Sequence, residues 1–452
     1  MDLLKEKGDE AVAALQGILE GRADSYEIFF SKDAGLSVEA REGAVDALKV
    51  RSNRGVGLRV ISGGRPGFGF TSVLDRDALT ELAAMALSGS KGAAEDKFLG
   101  FHGRGAGLEA EGALDVMDPS YGITGEKEKI EGALKIEEAA LSYDKRVRRV
   151  RKATYSESMK YTRVVNSNGV DVSGTATYYS GSVTVVASES GSSEMGWEMD
   201  NSHMRASIDP VRIGKSAAHN AVRMLGAKRI GTLKCPAVIE NTVVCELLEA
   251  LSGAFLADNV HKGKSMLIGK TGKKAVSDAL SVWDDGLMKG GWASSPFDAE
   301  GVPKKKTGLF VNGVCGGWLY DTYWARRDGA ASTGNAVRSN YKGTPAIGVS
   351  NLYIEAGDAA LEDLFREAGS GLFITEVLGA HTINTVSGDF SLGAAGFRVE
   401  DGAMAYPVKS MAISGNLLGL FSRVMRIGAD IRFIGSIGAP SLCVGEIEAS
   451  GS

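Results

Sequence analysis

Two segments rich in β-branched residues, Tyr161-Thr162-Arg163-Val164-Val165 and Val170-Asp171-Val172, flank the dipeptide Asn168-Gly169. An Asn-Gly pair tolerates positive φ at both positions of a tight turn, and the flanking residues favour extended strands. This stretch therefore predicts an antiparallel hairpin. The valine-rich segment Gly181-Ser182-Val183-Thr184-Val185-Val186-Ala187-Ser188 predicts a further strand of the same sheet.

Helical patterns precede and follow this hairpin. Residues 124–143 and 210–225 are predicted to form helices. Residues 1–20 and 75–87 are predicted to do the same, and Asp75 fits the N-cap position. The strand patterns between these last two helices lie at 26–30, 47–51, 57–61 and 68–70. The order helix, strands, helix thus occurs twice before residue 230, which indicates a duplicated architecture.

The chain after residue 230 has more strand patterns than helical ones, including 371–377, 396–400, 411–414 and 441–447. A glycine-rich stretch from Ser88 to about Leu114 predicts a linker or surface excursion. The predicted fold class is α+β, with helix-plus-antiparallel-sheet N-terminal units followed by a strand-rich C-terminal domain built on a mixed sheet or barrel. The predicted domains are residues 1–115, 116–230 and 231–452.

The composition is that of an ordinary globular protein, since 44% of the 452 residues are hydrophobic and 24% are charged. Glycine is the exception, because its 60 residues make up about 13% of the chain, against roughly 7% in average proteins. Without a collagen-like period, this excess predicts many tight turns between short strands. The net charge of -5 and the pI of about 5.8 give no indication of nucleic-acid binding.

Three features predict a cytoplasmic protein. The N-terminal residues begin an amphipathic helix and lack the apolar run of a signal peptide. No apolar segment approaches the roughly 18 residues that span a bilayer, so no membrane association is expected. The cysteines are widely spaced and form no Cys-x-x-Cys pair, as expected of reduced thiols: Cys235, Cys245, Cys315 and Cys443.

The segment Leu248-Glu249-Ala250-Leu251-Ser252-Gly253 lies in a predicted helix. The sequence around it, residues 235–265, resembles the C-terminal domain of the TldD/PmbA family of bacterial metalloproteases. The resemblance extends to residues 54–60 and 332–336, to the Ser-Pro-Phe-Asp-Ala-Glu-Gly run at 295–301 and to the Val-Ser-Gly-Asp-Phe-Ser-Leu-Gly run at 386–393. These motifs span nearly the whole chain and are most similar to the PmbA, or TldE, branch.

In TldD-type members the matching helix carries His-Glu-x-x-x-His. Its histidines hold zinc, and its glutamate takes a proton from the metal-bound water. The resemblance aligns Glu249 with that glutamate and puts Leu248 and Gly253 in place of the histidines. The third ligand of TldD-type sequences, a cysteine near the C-terminus, has no counterpart in residues 433–440. No metal site is therefore expected in this chain, and Glu249 is interpreted as a vestigial catalytic residue.

The resemblance implies the PmbA/TldE-type subunit of a cytoplasmic metalloprotease that acts on peptides or unfolded proteins. Zinc is expected in a TldD-type partner within a hetero-oligomer, and no cofactor is expected in this chain. The chain would close the cavity around the partner's site and help to admit flexible peptides. Alone, it is not expected to hydrolyse peptides, and a homodimer is one state it could adopt without the partner.

Four residues are candidates for binding a peptide or a partner: His381, Gly388, Asp389 and Gly393. The glycines around Asp389 are typical of tight turns or of close approach between strands. The alternative is a glycine-rich sheet edge that pairs with an extended peptide as an added strand. A triad of Ser387, His381 and Asp389 is disfavoured, because the chain has no Gly-x-Ser-x-Gly elbow and triads are defined by geometry.

Two other functions stay open. One is a self-sufficient metallo-hydrolase that uses Glu249 with His261 or His381 and a bound metal, although two histidines without a third ligand make a weak site. The other is a homo-oligomeric peptide-binding adaptor that has no proteolytic partner. Zinc analysis of the purified chain and co-expression with a TldD-type chain distinguish these functions.

Overall fold

The computed structural model describes residues 2–103 and 111–451. Its helices are α1 (Asp2–Leu19), α2 (Arg76–Gly92), α3 (Glu126–Leu141), α4 (Pro210–Arg223), α5 (Asn241–Ser252), α6 (Ala257–His261), α7 (Thr322–Asp328), α8 (Leu361–Ala368) and α9 (Leu417–Ser422). Its strands are β1 (Ser25–Arg41), β2 (Ala44–Ser62), β3 (Arg65–Thr71), β4 (Val147–Asn166), β5 (Asp171–Glu189), β6 (Ser192–Ser202), β7 (Leu233–Ile239), β8 (Val282–Asp285), β9 (Lys306–Val311), β10 (Val314–Cys315), β11 (Ala336–Val337), β12 (Ala346–Ile347), β13 (Asn351–Ile354), β14 (Gly371–Leu378), β15 (Asp389–Glu400), β16 (Ala403–Asn416), β17 (Val424–Ile427), β18 (Arg432–Ile434), β19 (Ile437–Ala439) and β20 (Leu442–Gly451). Within these described ranges, no helix combines the length and the apolar content needed to cross a bilayer.

The N-terminal strands form one antiparallel sheet of six strands in the order β3-β2-β1-β4-β5-β6. The central pair, β1 and β4, is in register from Glu27 opposite Asn166 to Ala40 opposite Ala153. The two predicted N-terminal units therefore share a single sheet, and the chain near residue 115 runs between its two halves. The predicted domain boundaries at residues 115 and 230 stay predictions.

The hairpin predicted at Asn168-Gly169 connects β4 to β5 and is confirmed. Its turn is wider than a two-residue turn, because the amide of Asn166 donates to the carbonyl of Val170 at 3.0 Å. The Asn166 side chain also accepts from the amides of Asn168 and Val170, at 2.9 and 3.2 Å. Within the turn only Gly169 has a positive φ, 87°. The turn therefore uses positive φ at one of the two positions that tolerate it, and the Asn166 side chain stabilises the longer loop.

The N-terminal sheet is a middle layer with protein on both faces. Alternate residues of a strand point to opposite faces. Ile28 and Phe30 of β1 pack in the apolar core that α1 and α2 complete, and a second core joins α3 and α4 to β4 and β5. Phe29 points the other way and packs with Phe297 and Tyr341 of the C-terminal region. The sheet thus holds the helices on one side and the C-terminal region on the other.

Helix α2 begins as predicted and ends later. The carboxylate of Asp75 accepts from the amide of Ala78 at 2.9 Å, which confirms the N-cap. The helix continues to Gly92, because Ser90 is buried against the sheet side and donates its hydroxyl to the carbonyl of Leu87 at 2.8 Å. The linker predicted from Ser88 therefore starts too early, and its residues 104–110 lie outside the described residues.

A second six-stranded sheet, in the order β16-β15-β14-β7-β20-β17, builds the C-terminal core. Strand β7 pairs parallel to β14 and antiparallel to β20. An additional pairing between β16 and β20, from Met411 opposite Gly451 to Ser414 opposite Glu448, closes the sheet on itself. The predicted mixed, barrel-like core and the α+β class are confirmed.

A third sheet, β10-β9-β8-β13-β19-β18, and the short pair β11-β12 complete the C-terminal region. Helix α5 lies between two of these sheets, since it contacts β14 of the barrel and β18 and β19 of the third sheet. A single apolar core includes residues of α5 and of both sheets. This position makes α5 a central element of the C-terminal region.

Buried charged side chains connect the N-terminal sheet to the C-terminal region. Glu27 of β1 accepts from Arg59 of β2 at 2.7 and 3.0 Å and also from Arg338, which follows β11. Arg59 donates in addition to Glu300 at 2.8 Å. Burial alone would raise the pKa of Glu27, but Arg338 and Arg59 hold it below its usual value. The four side chains therefore form one ionic network across the interface.

We predict that Glu27→Gln lowers the free energy of unfolding by about 3–5 kcal/mol, because it leaves the buried Arg338 without its carboxylate partner. The measurement is urea unfolding followed by circular dichroism at pH 7. The matched control is Glu448→Gln, since Glu448 is exposed and its 3.8 Å contact with Lys234 is solvated. The control should stay within about 0.5 kcal/mol of wild type. Equal effects of the two substitutions would contradict a stabilising network.

Candidate functional site

Helix α5 follows β7 directly and is amphipathic. Its buried residues recur at three- and four-residue spacing: Val243, Val244, Leu247, Leu248 and Leu251. The first turn is held by the strands around it, since the amide of Asn241 donates to the hydroxyl of Ser441 at 3.1 Å and its side-chain amide donates to the carbonyl of Asp430 at 2.9 Å. The helix therefore presents one apolar face to the core and one polar face outward.

Leu248 and Gly253, which the resemblance aligns with the histidines of TldD-type sequences, have no group that could bind a zinc ion. Leu248 is fully buried in the apolar core. Gly253 is the C-cap of α5, and its carbonyl accepts from the side-chain amide of Asn259 at 2.8 Å. Neither side chain has a donor atom for a metal. Across residues 2–103 and 111–451, no three His, Cys, Asp or Glu side chains gather where they could hold a metal ion.

The region expected to lack the family's cysteine ligand, residues 433–440, lies beside α5. There the Cys245 thiol of α5 contacts the carbonyls of Arg432 and Ile437 at 3.5 and 3.6 Å. Burial raises the pKa of Cys245 to about 12, so the thiol stays protonated. Cys245 therefore packs as a small apolar side chain and is suited neither to metal binding nor to nucleophilic attack.

The outward face of α5 carries carboxylates. Glu246 is half-buried and Glu249 is exposed, and Glu376 of β14 lies nearby. Burial raises the pKa of Glu246 to about 6, and repulsion from Glu249 and Glu376 adds to the shift. The pKa of Glu376 is raised as well, first by burial and then by Glu194. Glu246 can therefore gain or lose a proton close to neutral pH.

Two of these carboxylates, Glu246 and Glu376, line one wall of a cleft of about 580 Å³ between the N-terminal sheet and the C-terminal region. The other wall is formed by the edge strand β6 and by α4, through Met195, Trp197, Lys215, His219 and Arg223. The first wall also carries Arg432 and the second carries Glu198, and these two side chains pair with each other, so both walls are mixed in charge. This arrangement suits a peptide better than an apolar small molecule.

Two ion pairs hold the walls of the cleft together. Arg223 of α4 donates to Glu240, just before α5, at 3.1 Å. Arg432 of β18 pairs with Glu198 of β6 and donates to the carbonyl of Met199 at 3.0 Å. Burial raises the pKa of Glu240 even though Arg223 acts to lower it. The separation of β6 and α5 is therefore set by buried charge as well as by apolar contact.

Apolar side chains remain exposed along β6. Met195 is 56% exposed and Trp197 is 45% exposed, although both line the cleft. β6 is also an edge strand, so one side of its backbone is not paired with another strand, although the carbonyls of Trp197 and Met199 accept from the side chains of Asn220 at 3.3 Å and Arg432 at 3.0 Å. An extended peptide is recognised by such a combination of edge backbone and apolar contacts. The sequence does not predict this cleft, because no motif marks β6 and the walls of the cleft come from distant segments of the chain.

His381, Ser387 and Asp389 do not form a triad among the described residues. Asp389 accepts from the side-chain amide of Asn416 at 2.9 Å and from the hydroxyl of Ser387 at 2.7 Å, and these donors hold its pKa below the usual value. His381 lies in the exposed turn after β14 and has no hydrogen bond to Ser387 or Asp389 in the described part of the chain. Asp389 is therefore a turn-stabilising carboxylate, as the glycines around it indicate.

The alternative of a glycine-rich sheet edge does not fit Gly393. Strand β15 lies inside the barrel sheet, and Gly393 pairs with Leu378 of β14 on one side and with β16 on the other. Gly388 has φ of 85°, its amide donates to the carbonyl of Asn384 at 2.7 Å and its carbonyl accepts from Leu417 at 2.8 Å. Neither glycine therefore offers free backbone groups for peptide pairing. His381 and Asp389 stay predictions as contacts through their exposed side chains.

His261 is already engaged by neighbouring side chains. Its Nε2 atom lies 2.5 Å from a carboxylate oxygen of Asp328. Its ring stacks on Trp324, with 4.9 Å between the ring centroids. In the described ranges, neither His261 nor His381 belongs to a group able to hold a metal. The geometry gives no support to a metal site built on these histidines.

Comparison with known proteins gives a consistent result along the chain. Models described as PmbA/TldA metallopeptidase domain 1, central domain and C-terminal domain match residues 26–90, 124–225 and 232–451. Metalloprotease PmbA of Escherichia coli O157:H7 is 28% identical, with 98% of this chain and 96% of that protein covered. A metalloprotease TldD homolog of Buchnera aphidicola is 24% identical, with 95% and 90% covered.

Two solved structures share the fold. A candidate modulator of a DNA gyrase from Thermotoga maritima has a TM-score of 0.91 and 28% identity, covering 98% of this chain and 100% of that chain. TldE from Thermococcus kodakarensis has a TM-score of 0.88 and 22% identity, covering 98% and 100%. The complete fold, and not one domain alone, is therefore similar to these structures.

We predict that Glu246→Gln stabilises the protein at pH 8 and not at pH 4. The folded-state pKa of about 6 lies above the ordinary value of 4.5, so ionisation of Glu246 destabilises the fold above pH 6 and this cost vanishes below about pH 4.5. The expected gain at pH 8 is about 1 kcal/mol, reduced for solvent screening. Urea unfolding at both pH values measures it, with Glu448→Gln as the control. A gain that is the same at both pH values would contradict the assignment.

Proposed function

Because this chain belongs to the PmbA/TldD family of metallopeptidases, we propose that it is the PmbA/TldE-type subunit of a two-component metalloprotease. A TldD-type partner would supply the zinc ion and the hydrolytic chemistry. The observation that carries this proposal is α5, where Glu249 is exposed while Leu248 is fully buried and Gly253 caps the helix. Glu249 has no histidine beside it on this helix.

The contribution of this chain would be to bind the peptide. An extended peptide would lie along β6 in the cleft beside α5 and cover the exposed Met195 and Trp197. Backbone pairing with an edge strand is largely independent of side-chain identity, which suits peptides or unfolded proteins as a substrate class. Basic groups of the peptide would face Glu246 and Glu376.

The exposed residues His381 and Asp389 are proposed contacts for the partner or the peptide. His381 lies in the turn that follows β14, and Asp389 is the first residue of β15, on the C-terminal barrel. The cytoplasm is the proposed compartment. It is supported by four cysteines that are all free and buried, as in proteins of reducing compartments. A homodimer is the proposed state when the partner is absent.

We predict that this chain co-purifies with a TldD-type chain from the same genome and that the pair cleaves unfolded casein while this chain alone does not. Zinc quantification should find the metal in the complex and none retained by this chain alone. The reason is that the described residues hold no suitable ligand group. Cleavage and metal content are measured on each chain and on the pair.

Two outcomes would overturn this proposal. Stoichiometric zinc in the isolated chain, lost in His261→Ala or His381→Ala, would favour the self-sufficient hydrolase. Failure to co-purify, with no gain in cleavage, would favour the adaptor. In the complex, His381→Ala should weaken association if the turn after β14 contacts the partner.

We predict that Met195→Ala raises the KM of the complex for a peptide substrate about threefold to tenfold, because it removes apolar surface that the peptide covers. The matched control is Met85→Ala on α2, since Met85 is 52% exposed and Met195 is 56% exposed. Co-purification with the partner should be unchanged in both variants. Equal KM values for the two variants would exclude the cleft as the peptide site.

A further inference from the structure

A second cavity, separate from the cleft beside α5, opens between the N-terminal sheet and the C-terminal region. Its volume is about 190 Å³, enough for a few waters or for a small polar group with a short apolar tail. Part of its lining is apolar, through Phe29, Val116, Ala176 and Phe297. The rest includes three cationic side chains, Lys160, Lys304 and Arg338.

Arg338 is buried and only partly paired. One guanidinium nitrogen, Nη2, donates to Glu27. Its Nε and Nη1 atoms are buried and have no hydrogen-bond partner among the described residues. Glu27 is shared with Arg59, so it compensates two guanidinium groups at once. The surrounding protein closes off these two nitrogens, so an acceptor in the cavity does not reach them. Arg338 therefore acts on the cavity through its positive charge.

The two lysines face the same space with spare donors. Lys304 donates to the carbonyl of Ala293 at 2.9 Å, which uses one of its three donors. Lys160 of β4 is half-buried and has no hydrogen bond or ion pair to a described residue. Burial lowers the pKa of both lysines. Asp33 opposes this shift at Lys160, and Asp284 and Asp298 oppose it at Lys304, where Lys160 adds to it. An anion would stabilise both ammonium groups.

The carboxylate in the lining, Asp298, is already occupied. It accepts from the backbone amides of Glu300, Val302 and Ala336 at 2.8, 3.0 and 2.9 Å. Burial raises its pKa to about 7, with Glu300 adding repulsion. Asp298 therefore organises the 295–303 loop, and within the described residues it forms no ion pair with Lys160 or Lys304.

We propose that this cavity binds a carboxylate, held by Lys160 and Lys304 beside the positive charge of Arg338, with its short apolar substituent against Phe29 and Phe297. A monoanion with an apolar tail matches the mixed lining better than inorganic phosphate does. The carboxylate is either that of a small free acid or the C-terminal carboxylate of a peptide. This site is a property of the isolated chain and does not depend on a proteolytic partner.

The test is isothermal titration of the full chain at low chloride with four probes: propionate, N-acetyl-Ala-Ala, its C-terminal amide and inorganic phosphate. Propionate or N-acetyl-Ala-Ala should bind and the amide should not. Binding of propionate, with or without binding of N-acetyl-Ala-Ala, assigns the site to free acids. Binding of N-acetyl-Ala-Ala without binding of propionate assigns it to peptide termini. Lys160→Gln should raise Kd at least about tenfold, because one charge-assisted hydrogen bond is lost.

The matched control is Lys274→Gln, since Lys274 is exposed and pairs with the exposed Asp278, and its Kd should equal that of wild type. Circular dichroism melting checks that each variant is folded, and Lys304→Gln replaces Lys160→Gln if the latter fails to fold. The proposal is overturned if no carboxylate binds, if phosphate or the amide binds as tightly, or if the lysine substitution leaves Kd unchanged.

Discussion

The ionic network of Glu27, Arg59, Glu300 and Arg338 determines how the two parts of this chain meet. Buried charges are tolerated only where opposite charges lie in hydrogen-bond contact, so the network fixes the sheet against the 295–303 loop in both distance and direction. The neighbouring apolar contact of Phe29 with Tyr341 contributes burial with less directional constraint. Because β6 belongs to the same sheet, the position of the cleft beside α5 follows from this network.

The α+β class, the β4-β5 hairpin and the Asp75 cap were predictable, because each depends on residues close together in the chain. The pairing of β1 with β4 was not, since it joins Glu27 to Asn166 through backbone groups that every residue possesses. The interior position of β15 was hidden for the same reason. The sequence of a glycine-rich strand does not show whether it pairs with one neighbouring strand or with two, and the strand that contains Gly393 pairs with two.

The candidate site also has features that the sequence predicts and features that it does not. The lack of metal-ligating side chains at positions 248 and 253 follows from residue identity alone. The cleft could not be predicted, because its walls come from distant segments of the chain. The raised pKa of Glu246 depends first on burial, and then on Glu249 and on Glu376 of another strand. The run at 295–301, which contains Asp298 and Glu300, is a weak indication of the cavity beside Arg338. Nothing in that run indicates which cationic side chains lie near it.

The closing contact between β16 and β20 has a consequence for synthesis of the chain. Strand β7 takes its neighbours from residues 371–378 and 442–451, so the barrel has high contact order and assembles late. The N-terminal sheet is complete at Ser202 and can form while the rest is still being translated. During that interval Phe29 and the charges of Glu27 and Arg59 are open to water. The nascent chain therefore exposes its future interface before the half that covers it exists.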